Sequence, residues 1–240
     1  MQFGYNYKEI YELFKKYSYK IKYLDFRNIL KAAYGLMIKR KIIINGLNSG
    51  REIEELINEA CIKKGIFNIK QVKMPLLMPS VDIHTGNIYC FCSKEIRRTI
   101  TNNIIYVNNA EIGKVVRASC SYPVIFSPCK YEKLELIDGG LRENVPWRET
   151  KNMGADKVIS VVFDKELSEK CCDNIIDVVG NSIDILAHEL SSYELQGADY
   201  LLRIKTKEIA LLDVKKIDDL YNLGYEEAKK HMRKIKENLK

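Results

Sequence analysis

Between Leu134 and Gly140 the chain reads Leu-Glu-Leu-Ile-Asp-Gly-Gly, a short apolar run that stops on a carboxylate and two glycines. Leu134, Leu136 and Ile137 predict a strand, and the paired glycines predict a sharp turn, since glycine reaches positive φ without steric penalty. Such a turn holds Asp138 at the C-terminal lip of the strand, where open α/β sheets bind their ligands. Alone, Asp-Gly-Gly is an ordinary turn signal, because Asp and Gly dominate turns of every kind. The constraint comes from its surroundings. Upstream lies Arg117-Ala118-Ser119-Cys120-Ser121-Tyr122-Pro123-Val124-Ile125-Phe126-Ser127-Pro128, and downstream Leu141-Arg142-Glu143-Asn144-Val145-Pro146.

The rest of the chain alternates helix and strand patterns. Asn6 and Glu9 predict a capping box, followed by Ile10, Leu13, Phe14 and Tyr17 at helical spacing. Phe26, Ile29, Leu30, Ala33, Tyr34 and Met37 predict a second helix. Ser49 and Glu52 predict another capping box, leading a helix that ends at Lys63, Lys64 and Gly65. Met74–Ile83 and Ile88–Cys92 predict a hairpin turned at His84-Thr85-Gly86-Asn87. Pro75 and Pro79 argue for irregular ends there rather than a regular central strand. His84, placed in a turn, reads as a solvated histidine and is given no role. A short helix is expected over 112–121, and Pro146 and Gly154 suit the start and end of another. Val158–Phe163 reads as a parallel strand covered on both faces. A long helix follows, with Ile175, Val178, Val179, Ser182, Ile183, Leu186 and Leu190 on one face. A strand over Tyr200–Ile204 and a helix over Ile217–Ile235 complete the chain. Strands separated by helices predict an α/β layered fold, and no repeat or low-complexity linker divides residues 1–240, so one domain is expected.

Composition narrows the function. A chain of 240 residues, 46% hydrophobic and 30% charged, is long enough for one globular core. Its net charge of +7 suits anionic phospholipid headgroups or nucleic acid, although lysines dispersed over solvated helix faces give the same balance. Only His231–Lys240 is densely basic, and it carries no aromatic side chain to stack on bases, so nucleic acid is not expected. Cys61, Cys90, Cys92, Cys120, Cys129, Cys171 and Cys172 show no C-x-x-C spacing, so neither a metal site nor a redox pair is indicated. Cys90 and Cys92 read as small buried residues on one face of a strand. No apolar run approaches the roughly 18 residues of a membrane span, and the expectation is a reduced, cytoplasmic protein, at most peripheral at a membrane.

The motif-bearing stretch resembles the patatin-like phospholipase family. There, a segment similar to Arg117-Ala118-Ser119 through Pro123, Phe126 and Pro128 precedes an Asp-Gly-Gly or Asp-Gly-Ala. An Asn and a Pro like Asn144 and Pro146 follow, and then a Gly-Ala-Asp like Gly154-Ala155-Asp156. Gly4-Tyr5-Asn6 looks like the end of the helix behind the family's nucleophile. Ala198-Asp199 and Gly224-Tyr225-Glu226-Glu227-Ala228 look like its C-terminal part. The resemblance implies a three-layer α/β/α sandwich, a lipid or ester substrate, no cofactor, and a Ser–Asp dyad in which Asp138 is the general base. It implies a site-shaping role for Gly139 and Gly140, while Arg117, Ser119 and Asn144 brace the surrounding loops.

The other half of the dyad does not occur in these residues. The family's serine sits in a G-x-S-x-G elbow behind a glycine-rich oxyanion loop, and neither motif is present. Gly180-Asn181-Ser182 falls inside a helical pattern, without the strand–turn–helix context an elbow requires. The resemblance therefore implies the C-terminal part of the domain, lacking its N-terminal strands. Two functions follow: a lipid acyl hydrolase of which this chain carries the Asp half, or a non-catalytic remnant that binds lipid or a protein. Ser119, Cys120 and Ser121 are the candidate substitute nucleophiles.

Overall fold

The computed structural model describes residues 3–19, 45–96, 103–164, 175–194, 197–206 and 214–239, with the single positions 30, 31, 34, 37 and 38. Helix α1 (Tyr7–Ser18) starts on the predicted capping box. Asn6 Oδ1 accepts from the N–H groups of Lys8 and Glu9, and the Asn6 N–H donates to Glu9 Oε2 at 2.7 Å. The helix expected around Phe26 to Met37 falls outside the described residues, apart from those single positions. Helix α2 (Arg51–Ile62) forms without the box expected at Ser49 and Glu52. Asn48 Oδ1 instead accepts from the Gly50 N–H at 2.5 Å, and Gly50, at φ 71°, takes the capping position. A left-handed residue at that place re-aims the entering chain, which leaves Ser49 Oγ only a 3.4 Å contact from the Arg51 N–H. The helix ends in the paired carbonyl bonds of a Schellman turn, Gly65 N to Ile62 O and Ile66 N to Cys61 O.

The main sheet has five strands, β1 (Leu77–Asp82), β2 (Ile88–Cys92), β3 (Ile104–Val107), β4 (Cys129–Tyr131) and β5 (Leu134–Asp138), in the order β3-β2-β1-β5-β4. The predicted hairpin is β1–β2, β2 and β3 run parallel, and β5 is antiparallel to both β1 and β4. Strand β1 is therefore central, against the expectation drawn from Pro79. The reason is which neighbour the proline faces. The N–H of Asp82 bonds toward β2, at Asn87 O, while that of Ile83 bonds toward β5, at Glu135 O. Alternation puts the Pro79 nitrogen on the β5 side, and the β5 pairing has already ended at Ser80↔Asp138. No ladder bond is lost.

Both faces of this sheet are apolar. Phe91, Leu136 and Cys129 pack with Ile112, Val115 and Ala118 of helix α3 (Ile112–Ser119) and with Ile69 and Val72. On the opposite face Val81, Ile88, Cys90 and Ile137 pack with Ile104, Tyr106 and Leu141. Cys90 and Cys92 are fully buried, as small core residues. Helix α4 (Trp147–Asn152) follows the Asp138 turn. Strands β6 (Ile159–Asp164) and β7 (Tyr200–Lys205) form a separate parallel pair, linked by helix α5 (Ile175–Glu194), and helix α6 (Ile217–Asn238) packs on β7. The chain thus forms a mixed α/β fold, with a five-stranded mixed sheet flanked by helices.

Strand β6 is not covered on both faces among the described residues. Val158 and Ser160 are buried, but Ile159, Val161 and Phe163 are 37%, 52% and 69% exposed. A run of β-branched residues reports strand propensity, not how many faces are covered. The apolar stripe of α5 is likewise open, with Ile175 75% and Leu186 69% exposed. No described helix is long and apolar enough to cross a membrane.

Candidate active site

Asp138 is the last residue of β5 and caps the single 3-10 turn Gly139–Leu141. Its own N–H donates to Ser121 O at 3.0 Å, and its Oδ1 accepts from the Gly140 N–H at 2.8 Å. Its other oxygen, Oδ2, accepts no hydrogen bond from the described residues. The side chain is half-buried. Burial pushes its carboxyl above the ordinary range, and the Gly140 N–H works against that rise. The carboxylate is thus held through one oxygen, while the other has no hydrogen bond from the described residues, and its basicity is moved in the direction a proton acceptor needs.

The two glycines are fitted to the turn by close approach, Gly139 strictly and Gly140 more loosely, and not by the expected positive φ. Neither has positive φ. Gly139 lies against the Pro79 carbonyl, where a Cβ would sit 2.7 Å from the carbonyl carbon and 2.8 Å from the proline Cγ. At Gly140 a Cβ would stand 3.0 Å from Asn144 Oδ1 and 3.2 Å from Asp138 Oδ1. Close approach, not backbone handedness, selects glycine here.

Arg117 and Ser119, in the segment that precedes Asp138, both donate to backbone carbonyls. The Arg117 guanidinium, 12% exposed, pairs with Glu54 at 3.1 Å and donates to Ser49 O at 2.7 Å. Ser119 Oγ donates to Pro79 O at 2.8 Å, on the edge of β1 that β5 leaves free. Between them and Asp138, Val124 sits at φ 71°. That conformation is strained for a β-branched residue, and it persists because neighbouring bonds such as Leu47 N to Val124 O fix it.

Helix α5 supplies contacts that the sequence reading did not single out. Asp184 Oδ1 accepts from the Tyr122 hydroxyl at 3.0 Å, Ser191 Oγ accepts from Asn144 Nδ2 at 2.6 Å, and Glu194 Oε2 accepts from the Val145 N–H at 2.8 Å. Asn144 is thereby a brace and not a free side chain. Asp184, Ser191 and Glu194 fall on one side at helical spacing, a polar stripe that could have been read alongside the apolar one. Burial, and after it Asp184, push the Tyr122 phenol up.

Behind this loop lies a buried carboxyl pair. Glu143 is 8% and Glu149 3% exposed, and the Cys90 thiol donates to Glu143 Oε2 at 3.8 Å. Burial, together with its hydrogen bond to Glu149, holds the Glu143 carboxyl well above the usual range. Among the described residues no group of His, Cys, Asp or Glu is arranged to hold a metal ion.

The alternative nucleophiles fare poorly. Ser121 is buried and its hydroxyl is spent on Arg117 O at 2.8 Å, as that of Ser119 is on Pro79 O. Cys120 reaches the surface, yet desolvation by the surrounding protein, and after it the Asp138 carboxylate, push its thiol up to about 11, away from a reactive thiolate. Gly180-Asn181-Ser182 lies inside α5, and the Ser182 hydroxyl bonds Val178 O at 2.8 Å. The family model described as patatin-like phospholipase matches residues 3–151, more than half of the chain and all of the stretch from Arg117 to Pro146. The chain belongs to the patatin-like phospholipase family.

Proposed function

We propose that Asp138 is the proton acceptor of a Ser–Asp dyad acting on carboxylic esters of lipids. The serine and oxyanion donors come from a segment outside these 240 residues, which form the C-terminal part of one catalytic domain. The observation that carries this reading is the divided carboxylate of Asp138, with Oδ1 tied to Gly140 and Oδ2 free of hydrogen bonds from the described residues. In such a dyad the serine Oγ attacks the ester carbonyl as its proton passes to Oδ2. Collapse of the tetrahedral intermediate expels the alcohol, which takes that proton. Water then attacks the acyl-enzyme by the same route and releases the fatty acid. Gly139 and Gly140 keep the approach to the carboxylate free of side chains.

The 240-residue chain alone should not hydrolyse p-nitrophenyl esters or phospholipids above background. Joining a family-like segment ending in G-x-S-x-G and its helix ahead of Gly4 should produce esterase activity. Turnover by the unmodified chain that is lost in Asp138→Asn would instead place the nucleophile among Ser119, Cys120 and Ser121.

A second reading, a non-catalytic module binding lipid or a protein, is favoured by the exposed apolar side chains of β6 and α5. It predicts binding to neutral vesicles or a partner that Asp138→Asn leaves unchanged, and no activity from the joined chain.

A further inference from the structure

Away from Asp138, helices α2 and α3 meet closely at Gly113, where a Cβ would stand 2.6 Å from Glu54 O. Their approach, with β4 beside them, leaves a groove of about 230 Å³ lined by Arg51, Glu54, Glu55, Lys114, Arg117 and Lys130. Four of these side chains are cationic and two anionic. Glu54 is already committed to Arg117 at 3.1 Å. Among the described residues Arg51, Lys114 and Lys130 have no ion-pair partner, and the buried Nε of Arg117 has no hydrogen-bond acceptor. Glu55 is the one carboxylate among these three cations with no ion-pair partner in the described residues, so the lining stays net positive and attracts a further anion. Arg51 is the first residue of α2, whose first turn also carries Glu52 and Glu54, so the attraction for an anion comes from the cationic side chains and not from the helix end.

We infer that this groove binds a phosphate-type anion, with Arg51, Lys114 and Lys130 as its ligands and Arg117 as the fixed charge at its wall. A single phosphate group suits its volume and its net positive lining, and lysine and arginine are the usual donors to phosphate oxygens. The source can be a phospholipid headgroup or a free phosphate ester. The inference does not depend on the dyad.

Titration calorimetry of the 240-residue chain with inorganic phosphate and with glycerol 3-phosphate tests it. Saturable binding that weakens with added salt is expected. Lys130→Glu, at an exposed position, should weaken it by about tenfold, and Glu55→Gln should tighten it, with both variants melting as the parent does. Vesicles of phosphatidylcholine with and without phosphatidic acid separate the sources. Binding to the acidic vesicles that glycerol 3-phosphate displaces marks a headgroup site, whereas saturable phosphate binding without vesicle binding marks a free phosphate site. No saturable binding, equal affinity in both variants, or an oligonucleotide binding where neither phosphate does, would overturn the inference.

Discussion

Gly139 rests directly on the carbonyl of Pro79, one residue before Ser80, the pairing partner of Asp138 across the sheet. The turn that presents the carboxylate is therefore pressed against the backbone of the central strand. Gly139→Ala should destabilise the protein by about 1–3 kcal/mol, because the opposing atoms belong to backbone and a proline ring that cannot step aside. Gly140→Ala meets only side-chain oxygens of Asn144 and Asp138, and should lose less than about 1 kcal/mol. Urea midpoints of the two variants check this, and a larger loss at position 140 would contradict it.

The Arg117–Glu54 pair is mostly buried, at 12% and 20% exposed. Arg117→Ala leaves Glu54 without its partner and should lower stability by about 3–5 kcal/mol. Arg117→Lys should recover little, because one ammonium cannot serve both Glu54 and Ser49 O as the guanidinium fork does. The double variant Arg117→Met, Glu54→Leu should be more stable than Arg117→Ala alone. Thermal or urea unfolding of the three variants measures the order.

Glu143 makes stability depend on pH with a defined sign. Its folded pKa lies above its unfolded value, so between the two the folded state holds a proton that the unfolded chain has released. Its contribution is fully present below the ordinary glutamate range of about 4.3 and declines as pH rises toward the folded value. Cys90, Tyr106, Glu149 and Glu194 face the same pocket, so the parent curve sums several groups and the variant isolates one. Glu143→Gln should flatten the decline between about pH 5 and 8 and be the more stable protein at the upper end. Urea midpoints across that range provide the comparison. An unchanged slope would show that Glu143 is ionised in the folded state.

Sequence reached furthest where structure is local. The Asn6 capping box, the turn at His84–Asn87, the β5 strand ending on Asp138 and the helical setting of Ser182 all depend on neighbouring residues. It failed where the answer lies across the fold. Pro79 is harmless because of where β5 stops, and the glycines after Asp138 are needed because Pro79 and Asn144 stand close. The polar stripe of α5 makes contacts while its apolar stripe stays exposed, an inversion that no periodicity reports. Glu143, a charged residue in a loop, gave no sign that it would be buried beside Glu149.

The central claim, that Asp138 takes the proton of a serine, is tested most directly in the joined chain with its G-x-S-x-G segment. Hydrolysis of p-nitrophenyl butyrate is measured for that chain, for its serine-to-alanine variant, for Asp138→Asn and for the double variant. Residues that act as one catalytic unit give losses that are far from additive. Each single variant should fall close to background, and the double variant should lie no lower than either. Activity that survives with Asn at position 138, or two losses that multiply, would contradict the assignment of Asp138 as the base.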